Sequence, residues 1–155
     1  FGPRSLGNRS ILVNATDKSV NNWLNKKLKR TEFMPFAPLT LSEYANKMYK
    51  KLGNKKLATK YMTITTECTK NNIKISPAAV HIDNTARPQI LKKKNNLNIY
   101  KIIKEYFKIS KIPNLINTSF NVHEEPIVCN PNDAIRAFKT SKLDYLYIND
   151  YIIHN

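Results

Sequence analysis

Between Asn98 and Ile148 the hydrophobic period changes repeatedly, and that alternation constrains the fold more than any other feature. Ile99, Ile102, Ile103, Tyr106 and Phe107 recur at helical spacing, which predicts an amphipathic helix over Asn98 to Ile109. Asn114 to Phe120 reads as a strand running into a polar loop. Asn130-Pro131 is a capping residue followed by proline at the first helical position, and it opens a helix through Ala134, Ile135 and Phe138. Leu143 to Ile148 closes the series as a strand. Interleaved helices and strands predict α/β layers, a twisted mixed sheet with flanking helices, and not a sandwich or a bundle.

The first two thirds follow the same logic. Ile11 to Val13 is a short strand, and Asp17 or Ser19 caps a helix carrying Val20, Trp23, Leu24 and Leu28. Phe33 to Pro38 is extended, because Pro35 and Pro38 cannot sit inside a helix. Ser42 opens a second helix with Tyr44, Ala45, Met48, Tyr49 and Leu52, ended by Gly53. Tyr61 to Cys68 alternates as a strand, and Val80 to Ile90 is extended with a polar middle. The 155 residues suit one domain, and 41% apolar content argues against disorder. With no apolar run long enough to cross a bilayer and no leader pattern, the expectation is a cytoplasmic protein without membrane contact. Cys68 and Cys129, far apart, are expected to be reduced.

The 26 basic residues against 11 acidic ones give +15, which would attract polyanions. The lysines, however, are scattered among asparagine and isoleucine throughout, and aromatic residues do not interleave with basic ones as in single-strand binders. Nucleic acid is therefore not expected as a partner. Against this lysine-rich background only five arginines and three glycines occur. Arginine is a planar fork that grips carboxylate or phosphate through two donors, which lysine cannot do. Arg4, Arg9, Gly2 and Gly7 all fall within the first nine residues.

Three polar segments suit anion binding. Phe1 to Ser10 combines glycines, which let backbone approach a ligand, with two guanidinium forks. His81 to Arg87 follows a strand, and Asn117 to Asn121 ends one, the usual place for ligands in open α/β sheets. Three of the five arginines lie in these segments, which together predict an anion-binding cleft lined by Arg4, Arg87 and Asn117. His81, His123 and His154 are dispersed, so no metal site is expected.

The same segments resemble a known family. Phe1 to Ser10 is similar to the signature FGPRALGNRS, and Lys29-Arg30 with Pro35-Phe-Ala-Pro38 resembles a basic stretch leading into RPFAP. His81-Ile-Asp-Asn-Thr-Ala-Arg87 resembles HVDGTAR, while Asn117 to Val122 and Glu125 to Cys129 resemble NTSFNxxGEPIVC. These motifs occur, in this order, in the carbamoyltransferases that modify nodulation factors, cephamycins and aminoglycosides. On this resemblance residues 1–155 are the family's C-terminal domain, of YrdC-like fold. A Kae1-like transfer domain, supplied in cis or in trans, would be its partner.

The resemblance implies a transferase that joins carbamoyl phosphate and ATP, with Mg²⁺, into carbamoyladenylate for biosynthesis of a carbamoylated small molecule or sugar. ATP would be a substrate, with no tightly held cofactor. Arg4, Lys29 and Arg87 are expected to contact phosphate and carboxylate, and Asn117 and Ser119 to orient the carbamoyl unit or adenylate. Arg9, Arg30, His81, Asp83, Thr85, Thr118 and Asn121 are expected around them, with His81 and Asp83 shaping their loop. The sequence departs from the pattern at Met34 for arginine, Asn84 for glycine, and His123-Glu124 for Arg-Gly. The competing reading is an idle remnant, or a basic nucleic-acid-binding module, that keeps the fold.

Overall fold

The computed structural model describes residues 5–30 and 35–155, apart from the side chain of Lys56. The Phe33-Met34 part of the extended prediction lies outside these residues, as do Gly2 and Arg4. In chain order the elements are β1 (Ser10–Val13), α1 (Ser19–Lys27), β2 (Ala37–Leu41), α2 (Ala45–Met48), α3 (Lys56–Lys60) and β3 (Thr66–Glu67). They continue with α4 (Lys70–Ile75), β4 (Thr85–Ala86), β5 (Gln89–Leu91), α5 (Leu97–Ser110), β6 (Asn114–Ser119), α6 (Pro131–Ser141), β7 (Tyr145–Ile148) and β8 (Tyr151–His154).

The main sheet has the order β1-β6-β2-β5. β6 lies inside it, antiparallel to β1 on one side and to β2 on the other, while β2 and β5 run parallel. This is the mixed sheet that the interleaved periodicities predict. Alternation along β6 sends Leu115 to one face and Ile116 to the other. The first face is covered by α5, whose Ile99 and Ile103 pack with Leu39, Leu41, Leu91 and Leu115. On the second, Ile11, Ile116 and Phe120 meet Leu24 and Leu28 of α1 and Ala134, Ala137 and Phe138 of α6.

The two long helices start where cap chemistry puts them. Asn130 Oδ1 accepts from the Asp133 amide at 2.9 Å and Asn96 Oδ1 accepts from the Ile99 amide at 3.2 Å. At the start of α1, Asp17 accepts from the Ser19 amide at 2.8 Å. Trp23, expected on the apolar stripe, instead sits at the surface under the Lys27 amine, 4.4 Å from the ring centroid.

Two predicted elements are shorter than their periodicity suggests. The helix from Ser42 begins as a 3₁₀ turn and ends at Met48, so Tyr49, Leu52 and Gly53 lie beyond it. Tyr49 turns extended and forms a bridge with Cys68, which carries its hydroxyl to Thr40 Oγ1 at 2.7 Å inside the protein. The expected strand over Tyr61 to Cys68 contracts to Thr66–Glu67, because Met62 adopts a left-handed conformation with φ of 56°. Helix α4 is capped by Thr69, whose hydroxyl accepts from the Asn72 amide. Neither α4 nor the outer strand β8 is marked by a long periodic run.

A polar seam closes the region between α4 and the sheet. Ser76 donates to Asn114 Oδ1 at 2.7 Å, Asn114 Nδ2 to Asn72 Oδ1 at 3.4 Å, and Asn72 Nδ2 to Cys68 Sγ at 3.3 Å. Burial pushes the Cys68 thiol up to about 11, so it is protonated and inert at neutral pH. Burial likewise raises the Tyr49 phenol far above its ordinary value. The Tyr49→Phe variant is expected to lose about 0.5–1.5 kcal/mol with the Thr40 bond. A melting curve lowered by a few degrees checks this; an unchanged one would show that the bond contributes nothing.

Candidate functional site

The carboxyl end of β6 borders a cleft of about 450 Å³. Its walls include Ser5, the Pro35 to Ala37 segment entering β2, Met62, Ile127 and five of the residues singled out from sequence: Arg30, Arg87, Asn117, Thr118 and Ser119. Strand geometry explains how three consecutive residues serve one site. Asn117 faces the side of Ser5 and Gln89, and Thr118 faces the side of Arg30.

Asn117 is almost fully buried. Its Nδ2 donates to the Ser5 carbonyl at 2.6 Å and to Gln89 Oε1 at 2.7 Å. Both amide hydrogens are thereby used, which fixes the orientation of the group. Its Oδ1 has no hydrogen-bond partner among the described residues. Asn21, Asn121 and Ser141 also hold such buried side-chain oxygens among the described residues, and of these residues Asn117 is the one that lines the cleft.

The two guanidinium groups are held from behind. Arg30 Nη2 donates to Thr118 Oγ1 at 3.0 Å, and the group lies over the Phe36 ring, 4.6 Å from its centroid. Burial lowers its pKa, yet a guanidinium stays charged at any physiological pH. Arg87 Nη1 donates to the Met62 carbonyl at 3.1 Å. The left-handed turn at Met62 is what aims that carbonyl.

The His81 loop shapes the site. Its backbone closes between the His81 amide and the Thr85 carbonyl at 2.7 Å, with Asn84 left-handed at φ of 61°. Asp83 Oδ1 accepts from the Thr85 amide at 3.0 Å and from its hydroxyl at 2.7 Å, and His81 Nδ1 contacts the same hydroxyl at 3.1 Å. These three side chains, expected around the substrates, bind one another, and none of them lines the cleft. Asparagine at 84 keeps a left-handed turn at the position where the family pattern has glycine. Glu124 does the same with φ of 65°. Asn121 secures that second turn, its Nδ2 donating to the Val122 carbonyl at 2.8 Å and the Glu125 carbonyl at 3.0 Å.

Other expected residues lie elsewhere. Lys29 is exposed past the end of α1 with φ of 56°, outside the cleft lining, and its charge helps lower the Glu125 pKa behind the Arg136 contact at 2.8 Å. Arg9 donates to the Val128 carbonyl at 3.3 Å and borders a separate groove. Arg4 is outside the described residues, so of the expected trio Arg87 and Asn117 share the cleft. Gly7, with φ of 95°, approaches a helix and not a ligand: a Cβ there would meet Ile99 Cγ1 at 2.8 Å. Sequence reasoning missed Gln89 and Phe36 as support. A glutamine inside the apolar β5 was the available signal for the first.

The whole chain, residues 1–155, matches the family described as carbamoyltransferase C-terminus. The chain belongs to this family. This carbamoyltransferase domain is 42% identical to an uncharacterized protein of Methanocaldococcus jannaschii over 99% of the chain and 29% of the relative. It is 36% identical to the nodulation protein NolO of Bradyrhizobium diazoefficiens, over 99% of the chain and 28% of that protein. Nodulation protein U of Rhizobium tropici is 31% identical, with 96% and 25% covered. The domain thus spans about a quarter of the curated relatives it matches. No helix among the described residues is long and apolar enough to cross a membrane.

Burial lowers the His81 pKa; the Asp83 charge opposes this and the Arg87 charge adds to it. The folded protein therefore binds the His81 proton less readily than the unfolded chain, and this contribution to stability is lost as pH falls below the ordinary histidine value. An NMR titration should place the His81 midpoint below about 6.5. A midpoint above that value would mean that Asp83 controls the ring.

Proposed function

We propose that this domain activates carbamoyl phosphate with ATP. The observation that carries the proposal is the buried Asn117 carbonyl oxygen, oriented and without a partner among the described residues, beside two seated guanidinium groups in one cleft. A carbamoyl group offers an N–H₂ donor next to oxygen, and phosphates offer the anionic oxygens that arginine forks bind. Family membership and the nodulation relatives support a carbamoyl substrate.

In this reading carbamoyl phosphate is cleaved by water to carbamate and phosphate. A carbamate oxygen then attacks the α-phosphorus of ATP, the bond to the bridging oxygen breaks, and pyrophosphate departs with that electron pair. Carbamoyladenylate remains. Asn117 Oδ1 accepts from the carbamoyl N–H₂ and so holds the nucleophile by its nitrogen. Arg30 and Arg87 face the phosphoryl oxygens where negative charge grows. Because Phe36 with Thr118 seats the first and the Met62 carbonyl anchors the second, little reorganisation accompanies that charge. Mg²⁺ would be supplied together with the nucleotide and would neutralise part of its phosphate charge. Ser119 completes the wall as a hydroxyl donor. Transfer to an acceptor hydroxyl would be the work of the Kae1-like part, so this chain alone is expected to release pyrophosphate at most.

Titration calorimetry with a non-hydrolysable ATP analogue and Mg²⁺ tests the site. Arg87→Ala and Arg30→Ala are each expected to weaken binding by about 1.5–3 kcal/mol, the value of a charge-assisted contact. Unchanged affinity in both variants would remove the cleft as the nucleotide site. Absence of carbamoyl-phosphate-dependent pyrophosphate release, even with a matching transfer domain added, would favour an idle remnant.

A further inference from the structure

Lysine and arginine run through the chain as far as Lys142 and then stop: residues 1–142 hold all 26, and residues 143–155 hold none. The β7-β8 hairpin lies in that lysine-free stretch. Its register places Tyr145 and Tyr147 opposite His154 and Ile152 on the outer face, while Leu146 and Ile148 pack into the core. The outer face is open, with Tyr145 and Ile152 each 71% exposed and Tyr147 59% exposed. β8 is also an outer strand, and no strand lies along its second edge among the described residues. Such edges are normally blunted by lysine, proline or a bulge. Tyr151–His154 holds neither lysine nor proline, and it pairs with β7 residue for residue, without a bulge.

We infer that this edge is the contact between two copies of the chain, β8 of one pairing antiparallel with β8 of the other about a two-fold axis. The product is a four-stranded sheet in the order β7-β8-β8-β7. Charge selects both the occupant and the orientation. Two chains of +15 repel wherever their lysines meet, and this segment is where they approach without bringing lysines together. Its own formal charges are Asp144 and Asp150. Parallel pairing would set the two Asp150 carboxylates side by side. Antiparallel pairing parts them by at least the four residues of β8, about 14 Å, which exceeds the screening length of about 8 Å at physiological salt. Asp144 precedes β7 and is one strand removed from the contact. The side chains agree, because interface cores are rich in tyrosine and poor in lysine. A transfer partner would have to face the cleft, and no hairpin residue lines it, so the hairpin is left for a different contact.

Sedimentation velocity on the full chain over a range of concentrations tests this, with hydrogen exchange as a second readout. The unaltered chain should pass from monomer to dimer as concentration rises, and β8 amides should gain protection with the dimer. Added salt should tighten the dimer, since it screens the repulsion between the lysine-rich remainders. Ile152→Lys, a change at an exposed position, should raise the dimer dissociation constant about tenfold or more while circular dichroism stays that of the unaltered chain. Ile152→Val should dimerise as the unaltered chain does. Ile109→Lys removes an equally exposed apolar side chain at the end of α5 and should leave the dimer intact. A monomer at every concentration would overturn the inference, as would assemblies larger than a dimer. Equal loss in Ile109→Lys would mean general stickiness, and a dimer without β8 protection would mean a contact without strand pairing; each also overturns it. A dimer weakened by salt would be held by ion pairs, against the charge argument made for the hairpin.

Discussion

One carboxamide ties this domain together where its chemistry would occur. Asn117 joins a strand inside the sheet to the Ser5 backbone on one side and to Gln89 on the other. These partners come from the beginning, the middle and the last third of the chain. Because the amide is buried, each bond lost would leave a polar group without water to replace it, at a cost of about 1–3 kcal/mol. The cleft wall and the core at this point are therefore the same structure. The acceptor left over is a by-product of how the donors are used: a side chain held by both N–H groups must present its oxygen elsewhere.

The cationic groups are arranged on the same principle of fixing the rear of a side chain so that its front is defined. Phe36 supplies a flat surface for Arg30, and Thr118 an acceptor; the Met62 carbonyl supplies one for Arg87. A lysine in either place would keep the charge but lose the planar stacking and the fork. This accounts for arginine at both places in a chain that otherwise favours lysine so heavily. The scattered surface lysines, by contrast, have paired weakly with exposed carboxylates, as at Lys50 with Glu67 and Lys108 with Glu105.

The long elements were legible in the sequence because their signals are local. The stripe of α5, the Asn130-Pro131 start of α6 and the apolar run of β6 each depend on neighbours a few residues away. Tyr49 and Met62 were not legible. The first leaves its helix for a hydrogen bond to Thr40, and the second breaks a strand pattern to turn its carbonyl toward Arg87. Both are decided by distant partners. The site shows the same division. Motifs identified Arg30, Arg87, Asn117, Thr118 and Ser119, which share the cleft, but adjacency did not tell which neighbours turn away. Lys29 and Arg30 are consecutive, and only Arg30 reaches Thr118. Likewise His81, Asp83 and Thr85 satisfy one another before they can reach the cleft.

The sheet order has a consequence for synthesis. β6 separates β1 from β2, so the two earlier strands cannot complete their pairing until the last third of the chain has left the ribosome. The Ser5 backbone waits for a partner 112 residues later. During translation, at about 5–20 residues per second, the nascent chain spends seconds with unpaired strand edges and apolar faces uncovered. The residues before β6 hold 23 of the 26 basic residues and 6 of the 11 acidic ones, and such a segment repels its copies during that interval. The surface charge that says little about catalysis thus has a physical role in keeping half-made domains apart until β6 arrives.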